Sequence, residues 1–189
     1  KKCVQLDTRP GIYFNDDVVC GGCLWNEEKK IIDWGSRENE LHNIAKWARN
    51  TTKSNYDCII GVSGGKDSIV AVELLKKYGA DFSTIFIETQ KTPPLVDNII
   101  EKMDVASFKV GRCLDEKLFD KKIGYYYGHI PISGIYAFLG ILSAIFYHYS
   151  YFVVANEFSS NFGNVRYKGK IINHQWSKSS EFENLFQNY

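Results

Sequence analysis

The stretch Ser63-Gly64-Gly65-Lys66-Asp67-Ser68 constrains this chain more than any other, because the residues on its two sides have opposite periodicity. Before it, Asp57 to Val62 is a short apolar run, the pattern of a strand buried on both faces of a parallel sheet. After it, Ile69 to Tyr78 places Val70, Leu74 and Leu75 at helical spacing, and Gly79 stops the helix. A glycine loop between a strand and a helix is where an anion binds. Two glycines let the backbone approach a phosphate closely, and the helix N-terminus adds unsatisfied N–H donors and its dipole. Ser63 and Ser68 offer hydroxyls, and Lys66 offers a point charge. Asp67 has the wrong sign for a phosphate, so it either caps the helix or helps hold Mg²⁺. The spacing is neither GxxxxGK[ST] nor GxGxxG.

Downstream, the pattern keeps alternating. Phe82 to Ile87 and Ala106 to Val110 read as strands, with a helix from Pro94 to Met103 between them. Ile132 to Tyr149 reads as a long buried helix and Tyr151 to Ala155 as a fourth strand. Strands alternating with helices predict a doubly wound parallel α/β sheet, its ligand at the carboxyl ends of the strands. With 189 residues, 44% of them hydrophobic, the chain suits one such domain and a small appendage. We divide it into a Cys-rich module over 1–36, a helix and linker over 37–56 with the helix at Leu41 to Asn50, and the nucleotide domain over 57–189. The first module reads as short extended pieces.

The formal net charge of +1 shows no basic field for nucleic acid. No signal peptide or membrane-spanning helix is visible, since Pro131, Ser133, Gly134, Gly140, Ser143 and His148 interrupt the best apolar run. Met103 is the only methionine, so we expect the start to be trimmed, and the end, Tyr189, falls within an expected helix. Five cysteines without a secretory signal suggest a reducing cytoplasm, where close Cys pairs hold metal more often than disulfides. Cys20-Gly21-Gly22-Cys23 is such a pair and Cys3 is a third candidate, the alternative being isolated thiols in a Gly-rich turn. Cys58 reads as core, and Cys113 carries no assignment.

Past the fourth strand, Asn156 and Glu157 should face the cleft, where Glu157 binds Mg²⁺, orients substrate or is merely a solvated strand end. His174, Gln175 and Lys178 form a polar cluster beside Trp176, with Lys178 in reach of a phosphate or carboxylate. His129 and Ser133 flank the start of the long helix, facing the cleft or, for Ser133, capping that helix.

The SGGKDS stretch resembles the SGGxDS signature of the PP-loop ATP pyrophosphatases, and the resemblance covers about Asp57 to Ala155. It implies a HUP-like fold and cleavage of ATP to AMP and pyrophosphate. The loop (Ser63, Gly64, Gly65, Lys66, Asp67, Ser68) would hold the pyrophosphate, and adenine would bind near Phe86 to Glu88. A nucleophile such as ammonia would then attack the adenylated small molecule. Lys66, Asp67, Glu157 and Lys178 are the expected catalytic set. Cys3-Val4-Gln5-Leu6-Asp7-Thr8-Arg9-Pro10-Gly11-Ile12, Phe14-Asn15-Asp16 and the CxxC pair look like the N-terminal module of the N-acetyl sugar amidotransferases of pseudaminic acid and lipopolysaccharide biosynthesis. That likeness implies a zinc-ribbon-like module with Zn²⁺ on Cys3, Cys20, Cys23 and a cysteine upstream of Lys1, and ammonia from a glutaminase partner. The second half departs from it. Asn156 to Asn164, Asn173 to Ser179 and Glu181-Phe182-Glu183 are similar to a PP-loop group that includes the ATP-dependent epimerase of the muramoyl dipeptide glutamate. The leading expectation is an acetamido-sugar amidotransferase using ATP, Mg²⁺ and structural Zn²⁺, with a homo-oligomer left open. Carboxylate activation, as in that epimerase or in 7-deazapurine synthesis, is the alternative, followed by tRNA modification and a non-catalytic nucleotide-binding module.

Overall fold

Short runs of β-branched and aromatic residues build one parallel sheet in the order β3-β2-β1-β4, from β1 (Tyr56–Gly61), β2 (Phe82–Glu88), β3 (Ser107–Gly111) and β4 (Tyr149–Val153). The computed structural model describes residues 3–8, 12–54, 56–88, 94–113, 115–124, 132–163 and 165–189. Its helices are α1 (Gly21–Ile31), α2 (Trp34–Thr51), α3 (Lys66–Lys77), α4 (Pro94–Met103), α5 (Ile132–Phe146) and α6 (Ser180–Gln187). A small antiparallel ribbon pairs β5 (Val165–Tyr167) with β6 (Lys170–Ile172).

Burial along β1 shows why the sheet is covered on both faces. Successive strand residues point to opposite sides. Cys58, Ile60 and Val62 pack with Val72 of α3, Phe82 and Met103 of α4, while Ile59 packs with Ile85, Ala144 of α5 and Tyr149. Ile59 and Ile60 are both fully buried. The predicted doubly wound fold is therefore present, and burial pushes the Cys58 thiol up to about 12, in keeping with a core residue. The chain turns outward from β1 to β2 to β3 and then returns to place β4 on the other side of β1. The order reverses at β1, and the crevice beside it is the place for a ligand.

α4 lies where predicted, and the strand boundaries move by one or two residues. α5 ends at Phe146 because His148 takes a left-handed conformation (φ 60°) that turns the chain into β4. Three expectations are corrected. The Cys-rich segment is not a series of extended pieces: after an isolated bridge between Phe14 and Cys20 it enters α1, whose first turn is capped by Cys20 accepting from the Cys23 N–H. α2 likewise begins earlier than predicted, at Asp33, whose carboxylate accepts from the Ser36 N–H. Nor is α5 a fully buried helix. Ala144 and Gly140 face the sheet, but Phe138, Leu142, Ile145 and Phe146 are exposed.

α2 is tied to the sheet by polar contacts. Asp57, buried at the start of β1, accepts from Arg49 Nη2 at 2.9 Å and from the Asp81 N–H at 2.8 Å. Trp47 packs on Tyr151, and the Thr51 and Tyr151 hydroxyls lie 2.6 Å apart.

Candidate nucleotide site at the strand ends

The loop after β1 has the shape its sequence requires. Gly64 adopts φ +78°, and a Cβ there would sit 3.2 Å from Val96 of α4, so both backbone conformation and packing demand glycine. Gly65 caps α3 without a side-chain bond, leaving that helix end's N–H groups to an incoming anion. Ser63 is exposed at the cleft, but Ser68 is buried and its hydroxyl works inside the loop. It donates to the Gly65 carbonyl at 2.9 Å and accepts from the Ser63 N–H at 3.4 Å. In this arrangement the Ser68 hydroxyl ties the loop together, and Ser68 also lines the cleft. Asp67 is the second residue of α3 and not its cap, which removes one of its two predicted roles.

The cleft beside the loop has a volume of about 540 Å³, within the range of small-molecule sites. Its walls come from Gly61 to Ser63, Ile85 to Ile87, Ser133 and Tyr136 of α5, Ala155 and Asn156 after β4, and Lys178. Phe152 forms part of the floor, lying between Gly61 and Gly140. Ser133 is the second residue of α5 and lines the cleft, so it is not the helix cap. Of the predicted adenine strip, Phe86 lines the cleft, whereas Glu88 turns to Lys109 of β3, with a 3.9 Å ion pair. His174 is exposed outside the cleft wall, and His129 lies outside the described residues.

Charge is concentrated at the loop mouth. Lys66 Nζ donates to both Asp67 and Glu157, joining the loop after β1 to the loop after β4 across the switch point. Glu157 also accepts from the Ser159 hydroxyl at 3.1 Å. The hydrogen bond from Lys66 holds the Glu157 carboxyl below the usual range, and the bonds to Asp67 and then Glu157 push the Lys66 ammonium up. Two carboxylates beside a glycine loop at a helix N-terminus are a hard-oxygen donor set of the kind that suits Mg²⁺. Sequence reading missed Arg112. It follows β3, its guanidinium lies 5.8 Å from the Tyr136 ring, and its Nε is buried without a hydrogen-bond partner. No local motif marks it, because only the sheet order brings β3 and α5 together.

Away from the cleft, the Sγ atoms of Cys3, Cys20 and Cys23 converge within 4.8 Å of one another. The Cys23 N–H, then Cys3, lower the Cys20 thiol, while Cys3 and then Cys20 push the Cys23 thiol to about 11.

The MurL N-terminal domain family matches residues 28–189. The chain belongs to that family. A strand, the SGGKDS loop and a helix on a parallel sheet stand in the arrangement that the PP-loop resemblance implies. Among the MurL relatives, the UDP-N-acetyl-alpha-D-muramoyl-L-alanyl-L-glutamate epimerase of Xanthomonas oryzae pv. oryzae is 30% identical over 132 residues, 69% of this chain and 29% of that protein. The enzyme of the same description from a Micromonospora species is 33% identical over 141 residues, 74% of this chain and 31% of its own length. The chain thus spans under a third of these relatives. Among solved structures, the NMN synthetase of Francisella tularensis aligns over 69% of this chain and 58% of its own, at 15% identity and a TM-score of 0.48. The cysteine cluster precedes the segment that the MurL domain matches. No described helix is long and apolar enough to cross a membrane.

Proposed function

We propose that this domain binds ATP with Mg²⁺ and adenylates the α-carboxylate of a glutamyl residue in a muramoyl dipeptide precursor, the activating half of an epimerisation. The observation that carries the reading is the Lys66–Asp67–Glu157 cluster at the mouth of a phosphate loop, in a chain of the MurL N-terminal family. ATP supplies a phosphorus that can be attacked and a leaving group. A carboxylate oxygen of the substrate attacks the α-phosphorus, the bond to the bridging oxygen breaks, and pyrophosphate leaves. The loop N–H groups from Gly64 to Lys66, at the uncapped start of α3, would meet the departing charge without having to reorganise. Asp67 and Glu157 would hold Mg²⁺, which frees the Lys66 ammonium to follow the pyrophosphate. Lys178, which lines the cleft, would hold the substrate's own anionic groups, and the Arg112 guanidinium lies behind the wall, beside the Tyr136 ring.

Activation explains why an epimerase would use ATP. A proton at the glutamate Cα is hard to remove beside a negative carboxylate. The mixed anhydride with AMP carries no charge on that carbonyl group, so the proton leaves more readily and can return on the opposite face. Water then cleaves the anhydride. The balance is ATP and water consumed, AMP and pyrophosphate formed, and one stereocentre inverted.

The test incubates the full-length protein with ATP, Mg²⁺ and UDP-N-acetylmuramoyl-L-alanyl-L-glutamate. AMP, pyrophosphate and D-glutamate after hydrolysis are expected. ADP and phosphate, or no dependence on the glutamyl substrate, would overturn the reading. The acetamido-sugar amidotransferase reading now rests on the N-terminal cysteine motif alone. A parallel arm with an N-acetylated nucleotide sugar and ammonia tests it, an acetamidino product being its signature.

A further inference from the structure

We propose that Cys3, Cys20 and Cys23 bind a single tetrahedral divalent metal of the zinc class, and that this metal organises the segment before α2 in place of a hydrophobic core. The inference is independent of the adenylation reading, because the cluster lies before residue 28, where the family match begins.

The geometry selects the kind of metal. The three sulfur atoms lie within 4.8 Å of one another, and those of Cys3 and Cys20 are 3.3 Å apart. A tetrahedral ion with Zn–S bonds of about 2.3 Å sets sulfur–sulfur edges of about 3.8 Å, so small side-chain shifts would seat it. An iron–sulfur cube would hold cysteine sulfurs farther apart, because its own irons and sulfides stand between them. A disulfide needs about 2.05 Å and employs two thiols, leaving the third unexplained. Backbone geometry holds two of the ligands in place: Cys20 caps α1 and Cys23 sits in its first turn, its N–H 3.4 Å from the Cys20 sulfur. Cys3 comes from 17 residues away, so its arrival is a tertiary contact and not a consequence of the CxxC turn. Three protein ligands are found among the described residues, leaving one corner of the tetrahedron for water or another donor.

Burial shows what the metal is for. Among the described residues from 3 to 54, Cys20 is the only buried one. Val4, Leu6, Tyr13 and Trp25 are exposed. Apolar burial therefore stabilises this segment little, and segments so short and poorly buried are ordinarily held by a metal or by disulfides. Metal binding and local folding are then one process.

The experiment uses the full chain, purified with a reductant, stripped with a chelator and titrated with Co²⁺. One Co²⁺ per chain is expected, with a thiolate-to-cobalt charge-transfer band and tetrahedral d–d intensity, displaced by one Zn²⁺. Cys3→Ser and Cys23→Ser should weaken Co²⁺ binding by about a hundredfold or more, whereas Cys113→Ser should leave it unchanged. Cys3 is exposed and outside the sheet, so Cys3→Ser should keep the far-ultraviolet circular dichroism of the α/β domain. Absence of the charge-transfer band, unchanged affinity in Cys3→Ser, or iron with acid-labile sulfide in the purified protein would each overturn the proposal.

Discussion

Lys66 is the residue on which the charge arrangement of the cleft turns. Its side chain is 74% exposed, and an ion pair in that much water adds little to stability. Its contacts with Asp67 and Glu157 therefore matter for what the mouth of the loop presents to a ligand. A charge-assisted contact to phosphate contributes about 1.5–3 kcal/mol, so Lys66→Ala should lower kcat/KM for pyrophosphate release by roughly ten- to a hundredfold without unfolding the protein. Glu157→Gln keeps the side chain's shape but loses the charge, and should raise the Mg²⁺ concentration needed for half-maximal rate. Gly64→Val should be the most damaging, since it forces a β-branched residue to φ +78° against Val96. Pyrophosphate-release kinetics, with circular dichroism on each variant, ranks the three. If folded Lys66→Ala and Glu157→Gln keep wild-type rate and Mg²⁺ dependence, the cluster is not the phosphate mouth. At this scale the sequence identified the loop but not each partner. Ser68 and Asp67 belong to the motif, yet one bonds within the loop and the other sits inside the helix, distinctions that depend on backbone angles. Arg112 left no local trace, because what singles it out is a buried atom facing a helix far along the chain.

Elements show a different division. The central strands were legible because burial on both faces demands unbroken apolar runs, and α3 and α4 because one face of each meets the sheet. α1 was not legible: a Gly-Gly pair weakens local helix propensity, and the cap that starts the helix is a cysteine, which is not among the usual N-caps. α5 misled in the other direction, since an apolar composition reads as burial on every side, although only one stripe meets β4. That stripe has a specific construction. A Cβ on Gly140 would run into the Phe152 ring, and Phe152 also lies 3.6 Å from the position of a Cβ on Gly61. Gly140→Ala should therefore push the ring toward the cleft floor and destabilise the domain by about 1–3 kcal/mol, although alanine is the better helix former. Chemical denaturation measures this, and Gly140→Ala combined with Phe152→Leu should recover part of the loss. A Gly140→Ala protein more stable than wild type would mean that the helix does not pack this closely.

At the scale of the molecule, one reversal of strand order brings together residues separated by most of the chain. Ser63 follows β1, Asn156 follows β4 and Lys178 precedes α6, yet all line one crevice, and Glu157 is paired with Lys66 beside it. The fold class could be anticipated from alternating periodicity, but the substrate could not, because a phosphate loop is indifferent to what receives the nucleotide. The chain spans 29% and 31% of two epimerase relatives, so substrate choice is best tested in the whole protein and nucleotide binding in this domain. A ligand that binds only the folded state stabilises it by about 2.7 kcal/mol at a hundred times its Kd. For a domain of this size each kcal/mol raises Tm by about 2–4 °C. Saturating ATP with Mg²⁺ should then raise Tm by roughly 5–11 °C. Pyrophosphate with Mg²⁺ should give a smaller rise, because it occupies the loop but leaves the Phe86 wall empty. GTP should fall below ATP if backbone groups beside Phe86 read the adenine edge. Thermal denaturation of the same preparation with each ligand gives the order directly. A shift with GTP equal to that with ATP would remove adenine recognition from this wall, and no shift with ATP or pyrophosphate would remove the nucleotide from this cleft altogether.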